Sequence, residues 1–424
     1  MSSKNSERGK SMYITKFSIT NYRSLKNFKI EKLSTTTVFF GDNNVGKSNI
    51  LHALYTVFKR KRKINRDTVP FKLTEPQNFY EGVVENFNNN FFGNIPTEIT
   101  FEVEFTLDVA EVCLEKPLLQ KLTKKTETKH KLVFAGNIIP VDSTRDWAEI
   151  LLTSLKLDSR SVYTYDRTKP EYIYFPTIDK QRKNQADLAK SFSHLVEPFN
   201  DCVALIESAR DMHPTDFSLE PVQEIDQTNF KRFLHSLYLS EDSHRLFEQI
   251  NSVFNREPFS FGAISFANVN GKLEVMVKEN DLRLPIKHVG SGVLQTLYII
   301  TRVIHSKSKI VCIEELEQNL APPRQYPTLA KLQSMLGDNK VGSLRQLIVS
   351  SHSSVYAKPK LGTIYLLEKE NGQTKIKEVL EKKFKEGMKK HLIDSALPPD
   401  TYSPEEYQQN YEELKKLEHD RLQS

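Results

Sequence analysis

The run Gly41-Asp42-Asn43-Asn44-Val45-Gly46-Lys47-Ser48 sets two glycines, four residues apart, ahead of a lysine and a hydroxyl. A loop of this composition turns tightly enough for successive backbone N–H groups to converge on an anion, and side chains at the two glycines would block that approach. The run predicts a nucleoside triphosphate site. In that site Lys47 reaches the β and γ phosphates, Ser48 offers its hydroxyl to Mg²⁺, and the helix that starts here directs its positive end at the anion. Asn43, Asn44, Gly46 and Asn49 are expected to bind the nucleotide with them.

The flanks support this reading. Residues 35–40 are β-branched and aromatic and predict a buried strand, while Ile50, Leu51, Leu54, Val57 and Phe58 recur at helical spacing. Further out, residues 13–19 and 99–105 alternate apolar with polar, as half-buried strands do. Residues 80–94, rich in Asn and Phe, predict an irregular loop. From 187 to 254 the pattern turns helical: Phe192, Leu195, Val196, Phe199, Val203 and Ile206 give one face, and Phe230, Phe233, Leu234 and Leu237 another, with Pro214 between them. Strands are predicted again at 259–266 and 273–277, joined by Asn270-Gly271, a dipeptide suited to a two-residue hairpin.

Three later segments have chemistry that fits a nucleotide site. The apolar run 310–313 ends in Glu314-Glu315. One carboxylate of such a pair can support a metal and its waters while the next orients or deprotonates the attacking water; alone, the same run also reads as a strand followed by a solvated helix start. Gly290-Ser291-Gly292 precedes an apolar helical stretch at 297–304 and reads either as an anion-binding helix start or as a glycine-rich cap. Ser350-Ser351-His352-Ser353-Ser354 follows a predicted strand at 346–349, where an imidazole can sense a γ-phosphate or be an ordinary loop histidine.

The whole chain has 424 residues, enough for about two to three domain-sized units. Its formal net charge of +6 does not by itself indicate nucleic-acid binding. Two local clusters, Lys59, Arg60, Lys61, Arg62, Lys63 and Arg66, and then Lys121, Lys124, Lys125, Lys129 and Lys131, read either as solvated faces or as phosphate contacts. Cys113, Cys202 and Cys312 show no pairing or ligand spacing, and no long apolar run occurs, so a reducing, cytoplasmic location without membrane insertion is expected.

Taken in order, these elements resemble an ABC-type ATPase of the RecF, SMC and OLD group. Asn21-Tyr22-Arg23-Ser24-Leu25 resembles the group's N-terminal Asn-Phe-Arg-Ser motif, GDNNVGKS its phosphate loop, VGSGVLQ its signature, IEELEQNLAPPRQ its acidic block, and SSHSS its switch histidine. The resemblance implies that Arg23 approaches the phosphates, that Glu314 joins the metal site, and that Glu315 is the catalytic base with His352 beside it. It also implies that Ser291 and Gly292 meet the nucleotide of a second copy, in a homodimer or higher oligomer. Leu316 stands where proline is usual and Ala321 where histidine is usual. Gln77 is a Gln-loop candidate by position alone.

The expected fold class is α/β, a P-loop NTPase of ABC-ATPase type. Its parts are a β-rich N-terminal lobe over 1–186, a short helical insertion over 187–258, a C-terminal lobe over 259–385 and a helical tail over 386–424. Ser403-Pro404-Glu405-Glu406 is a well-formed helix start, and Tyr407, Tyr411, Leu414 and Leu417 form a stripe after it, suited to its own core or to a partner. No early Glu with a later Asp-x-Asp of TOPRIM type appears, so no nuclease activity is expected. The resemblance extends to ATPase subunits of anti-phage systems such as Septu or PARIS, which implies a separately encoded nuclease effector. A RecF-like repair ATPase binding DNA through Lys59, Arg60, Lys61, Arg62 and Lys63, and a nucleotide-gated scaffold with little hydrolysis, are the alternatives.

Overall fold

The structure, a computed structural model, describes residues 12–58, 99–108, 129–140, 148–166, 169–174, 199, 201–208, 229–279, 282–306, 308–338, 343–356 and 362–378. In chain order the first elements are β1 (Met12–Tyr22), β2 (Leu25–Ile30), β3 (Thr36–Phe40), α1 (Lys47–Phe58), β4 (Ile99–Asp108), β5 (Lys129–Pro140), β6 (Ala148–Leu157), β7 (Arg160–Asp166), β8 (Lys169–Tyr174) and β9 (Val203–Ile206). There follow α2 (Phe230–Leu239), α3 (Glu241–Phe254), β10 (Ala263–Val269), β11 (Lys272–Glu279), β12 (Leu282–Pro285), α4 (Ile286–Val289) and α5 (Ser291–His305). The last are β13 (Ile310–Ile313), α6 (Pro322–Ser334), β14 (Gln346–Ser351), β15 (Thr363–Glu370) and β16 (Gln373–Glu378).

A central sheet in the order β16-β15-β3-β14-β13-β9 positions the site. Its strands run parallel except β16, which pairs antiparallel with β15 at one edge. The inner strands TTVFF, IVCI and QLIVSS are buried throughout, because layers cover both faces. Phe39, Leu205, Cys312 and Ile348 join one core, while Val38, Phe40, Val311, Ile313, Leu347 and Val349 join the other, as period-two alternation requires.

The first core lies under an antiparallel sheet, β2-β1-β4-β5-β6-β7-β8, with α1 packed between it and the central sheet. β4 alternates buried with more exposed residues along ITFEVEFTLD, so one face is apolar. Phe105 on that face meets Phe58 of α1 edge-on at 5.3 Å between ring centroids, and Phe199 at 4.9 Å. The second core holds α2, α3 and α5, which cover the opposite face beside the small sheet β10-β11-β12. The Asn270-Gly271 turn joins β10 to β11 with both residues at positive φ, 53° and 76°, as a two-residue hairpin of this kind needs. The fold is therefore the expected α/β P-loop NTPase class with a β-rich N-terminal lobe.

One predicted helix face is corrected. Val203 and Ile206 lie on β9, paired in parallel with Ile310 and Ile313 of β13, so the segment expected as a helical insertion also supplies a strand to the central sheet. A four-residue apolar run suits a helix face and a buried strand equally, and the unpaired edge of β13 decides it. Likewise β10 begins at Ala263, because Phe259 is buried in the turn preceding the strand. The sequence reading does not anticipate β5 to β8 as strands. Phe192, Leu195, Val196, Pro214, Gln77, Cys113, the loop at 80–94, the basic residues Lys59 to Arg66, Lys121, Lys124 and Lys125, and the tail at 386–424 lie outside the described residues. Among the described residues no helix is long and apolar enough to cross a membrane.

Candidate functional site

Parallel strands β3, β13 and β14 finish on one side of the sheet, so the segments leaving them converge there. These segments are the loop 41–46, the acidic pair after Ile313, and His352. The first is shaped by close approach: Gly46 has φ +99°, and a Cβ on it would lie 2.0 Å from Thr374 Oγ1 and 2.7 Å from Ser24 Oγ. The β16 edge thus imposes glycine at this position independently of any bound anion.

A directed chain of hydrogen bonds holds the loop to the N-terminal motif. Asn49 Nδ2 donates to Ser24 Oγ at 2.7 Å, the Ser24 hydroxyl and Thr374 Oγ1 are 2.6 Å apart, and Thr374 Oγ1 donates to the Val45 carbonyl at 2.8 Å. Thr374 N–H returns to the Ser24 carbonyl at 2.9 Å. Thr374→Val should therefore leave the buried Val45 carbonyl unpaired and cost about 1–3 kcal/mol. Urea unfolding measures this, and an unchanged midpoint would remove the clamp.

Beyond the loop lies a cavity of about 560 Å³ lined by Asn43, Asn44, Gly46, Lys47, Ser48, Asn49, Glu315, Gln318 and His352. Eight of these nine were expected from the sequence. Lys47 is only 6% exposed, and its ammonium donates to the carbonyls of Gly41 at 2.8 Å and Asp42 at 2.6 Å. Burial lowers its pKa, opposed by the charges of Glu317, Glu315 and Asp42. The ammonium is held in place by weak carbonyl acceptors, which an anion of higher charge can replace.

Glu315 follows β13 with φ +43°, and its N–H donates to the buried Ser350 Oγ at 3.2 Å. Arg23 also has positive φ, 48°. Left-handed backbone at such residues costs on the order of 1–3 kcal/mol and concentrates at functional sites. Glu314 does not line the cavity. It is buried behind Ser48, with His52 Nε2 3.3 Å from its Oε1. Burial raises the Glu314 carboxyl, but hydrogen bonds and charge from His52, together with the Ser48 hydroxyl, outweigh it and keep the carboxyl below its ordinary range. An ionised carboxylate beside the Ser48 hydroxyl is a donor set that suits Mg²⁺.

Arg23 also stands outside the cavity wall. Its guanidinium lies over the Tyr22 ring at 5.3 Å and donates to Asn49 Oδ1 at 3.4 Å. Ser291 and Gly292 are not brought to the cavity of their own chain: Ser291 is exposed at the start of α5. Gly292 sits where a Cβ would meet the Asn319 carbonyl at 2.2 Å, which ties this helix start to the acidic block. Leu316, in the place of the usual proline, is fully buried in the second core, and Ala321 is exposed at the start of α6. Sequence reasoning missed the roles of Gln318, Glu317, His52 and Thr374. The signal for the first two was their place in the run Glu314-Glu315-Leu316-Glu317-Gln318.

The AAA ATPase domain model matches residues 12–357 of the chain. An ATP/GTP phosphatase of Helicobacter pylori is 23% identical over 347 residues, covering 80% of this chain and 85% of that protein. The DNA replication and repair protein RecF of Clostridium perfringens is 39% identical over 57 residues, 13% of this chain and 16% of RecF. Among solved structures, the SMC head bound to the C-winged helix domain of ScpA is similar with a TM-score of 0.44 at 13% identity, covering 88% of this chain and 99% of that one. The SMC head domain from Thermotoga maritima gives a TM-score of 0.39 at 11% identity, over 87% and 99%.

Proposed function

The chain belongs to the AAA ATPase domain family, and from that premise we propose that it is a Mg²⁺-dependent ATP-hydrolysing switch that dimerises through composite sites and controls a separately encoded nuclease in anti-phage defence. One observation carries the dimeric mechanism: Lys47, Ser48, Glu315 and His352 share a cavity while Ser291 is exposed elsewhere on the same chain. A nucleotide held by one copy then has an open side for the Ser291 and Gly292 of a second.

In this reading Lys47 exchanges its carbonyl partners for the β and γ phosphates, and the loop N–H groups hold the anion. Ser48 and Glu314 hold Mg²⁺, which supplies charge neutralisation at the phosphates. Glu315 orients the attacking water and accepts its proton, fixed through Ser350. His352 contacts the γ-phosphate. The defence role and the effector rest on the motif resemblance. DNA binding of RecF type is the second reading, favoured by the basic run from Lys59 to Lys63.

Complementation tests the composite site. Lys47→Ala and Ser291→Arg should each be inactive, while a mixture should regain activity because its heterodimer holds one intact site. Specific activity should also fall on dilution below the dimerisation constant. A rate per chain independent of concentration, with no recovery in verified mixed dimers, would place the site within a single copy.

A further inference from the structure

Glu317 has no part in the mechanism above, yet it makes the closest contacts to His352. Its side chain is 4% exposed, and Oε1 accepts two hydrogen bonds from this one residue, from the His352 N–H at 2.6 Å and from Nδ1 at 2.8 Å. Burial raises the Glu317 carboxyl, but hydrogen bonds from His352, from its own backbone N–H and from the Ser351 hydroxyl together outweigh it and keep the group below its ordinary range, so it is ionised. An ionised carboxylate only accepts, so Nδ1 carries the hydrogen it shares with Glu317. The backbone N–H bond fixes the carboxylate beside the ring, and neither χ angle of the histidine turns without breaking the Nδ1 contact to it.

We propose that Glu317 is a positioning residue that fixes the rotamer and tautomer of His352, so that the remaining ring nitrogen, Nε2, is presented to the nucleotide cavity. The inference rests on the reading of His352 as a γ-phosphate contact. His352 itself is half exposed and lines the cavity beside Lys47 and Glu315, so an untethered ring at this place would sample other rotamers. The anchor is in turn built into the fold. Gln325 of α6 accepts from Ser353 Oγ at 2.5 Å and donates to the Leu320 carbonyl at 3.0 Å, which joins the two loops that carry Glu317 and His352. Glu317 is also foremost among the charges that support the Lys47 ammonium, so one buried carboxylate faces both the lysine and the histidine of the site.

The test combines kinetics with a measurement that needs no turnover. Glu317→Leu, which removes the acceptor oxygen that glutamine would keep, should lower kcat roughly 10- to 100-fold, as loss of an outer partner that orients a histidine does. His352→Ala should lose a similar factor, and the double variant should lose no more than the worse single, since both substitutions remove one function. Multiplying losses, a Glu317→Leu variant with full rate, or a His352→Ala variant with full rate would each overturn the proposal. The charged groups facing His352 are Glu317, Glu315 and Lys47, and Glu317 raises its pKa most. NMR titration should therefore find the His352 imidazole losing its proton at lower pH in Glu317→Gln than in the wild type. An unchanged titration overturns the contact. A wild-type chain that hydrolyses no ATP would count against the switch function, and the titration would still decide the role of Glu317.

Discussion

Glu315→Gln should slow ATP turnover by at least ~100-fold while leaving ATP binding intact, in the range ascribed to loss of a general base. Glutamine keeps the size and the acceptor oxygen but cannot take the proton of the attacking water. The backbone need not change, because the left-handed turn at φ +43° and the N–H to Ser350 contact belong to the main chain. The variant should also trap the nucleotide-bound dimer, detectable by size-exclusion chromatography with ATP and Mg²⁺. Steady-state rates at saturating ATP provide the measurement. Wild-type turnover in the variant would move the base to another carboxylate, with Glu314 and Glu317 the nearest in sequence, although Glu314 is turned to Ser48 and His52, and Glu317 to His352.

The second large effect is on binding. Lys47→Ala should weaken ATP affinity by ~100-fold or more, since charge-assisted hydrogen bonds to phosphate contribute about 1.5–3 kcal/mol each and the ammonium can make two. The unliganded fold should survive. Lys47 bonds there to two carbonyls of its own loop, at Gly41 and Asp42, and Val45 is held independently by Thr374. Titration with a fluorescent ATP analogue, with a thermal melt of the unliganded variant as control, separates the two effects. Unchanged affinity would refute the phosphate-loop assignment.

Both predictions concern residues that local sequence could place. A phosphate loop is legible because its function resides in consecutive backbone groups and in the two side chains that follow, all within one strand-loop-helix unit. The Asn371-Gly372 turn is a local feature of the same kind, with φ of 50° and 76° between paired Glu370 and Gln373. Thr374 was not legible. It lies just past that turn on an edge strand, and its partners Ser24 and Val45 are more than 300 positions away in sequence. Nothing in its neighbourhood distinguishes it from any other threonine of a half-buried strand.

The sequence alone determined the chemistry available to this protein: an anion-binding loop with its lysine and hydroxyl, an acidic pair at the end of an apolar strand, a histidine after another, and a glycine-flanked serine at a helix start. Apolar runs also marked β3, β13 and β14 of the central sheet, because parallel strands covered on both faces must be apolar throughout. Tertiary structure decided which of these groups meet. It put Glu315 and His352 at one cavity with Lys47, set Glu314 behind Ser48, and left Ser291 exposed outside that cavity. It also turned Val203–Ile206 from an expected helix face into a strand, and attached Glu317 to His352. The physical reason is the same in each case. Backbone conformation follows from short-range sterics and periodicity, whereas strand order and side-chain pairing depend on contacts between segments far apart in the chain, whose energies appear only once the layers have packed.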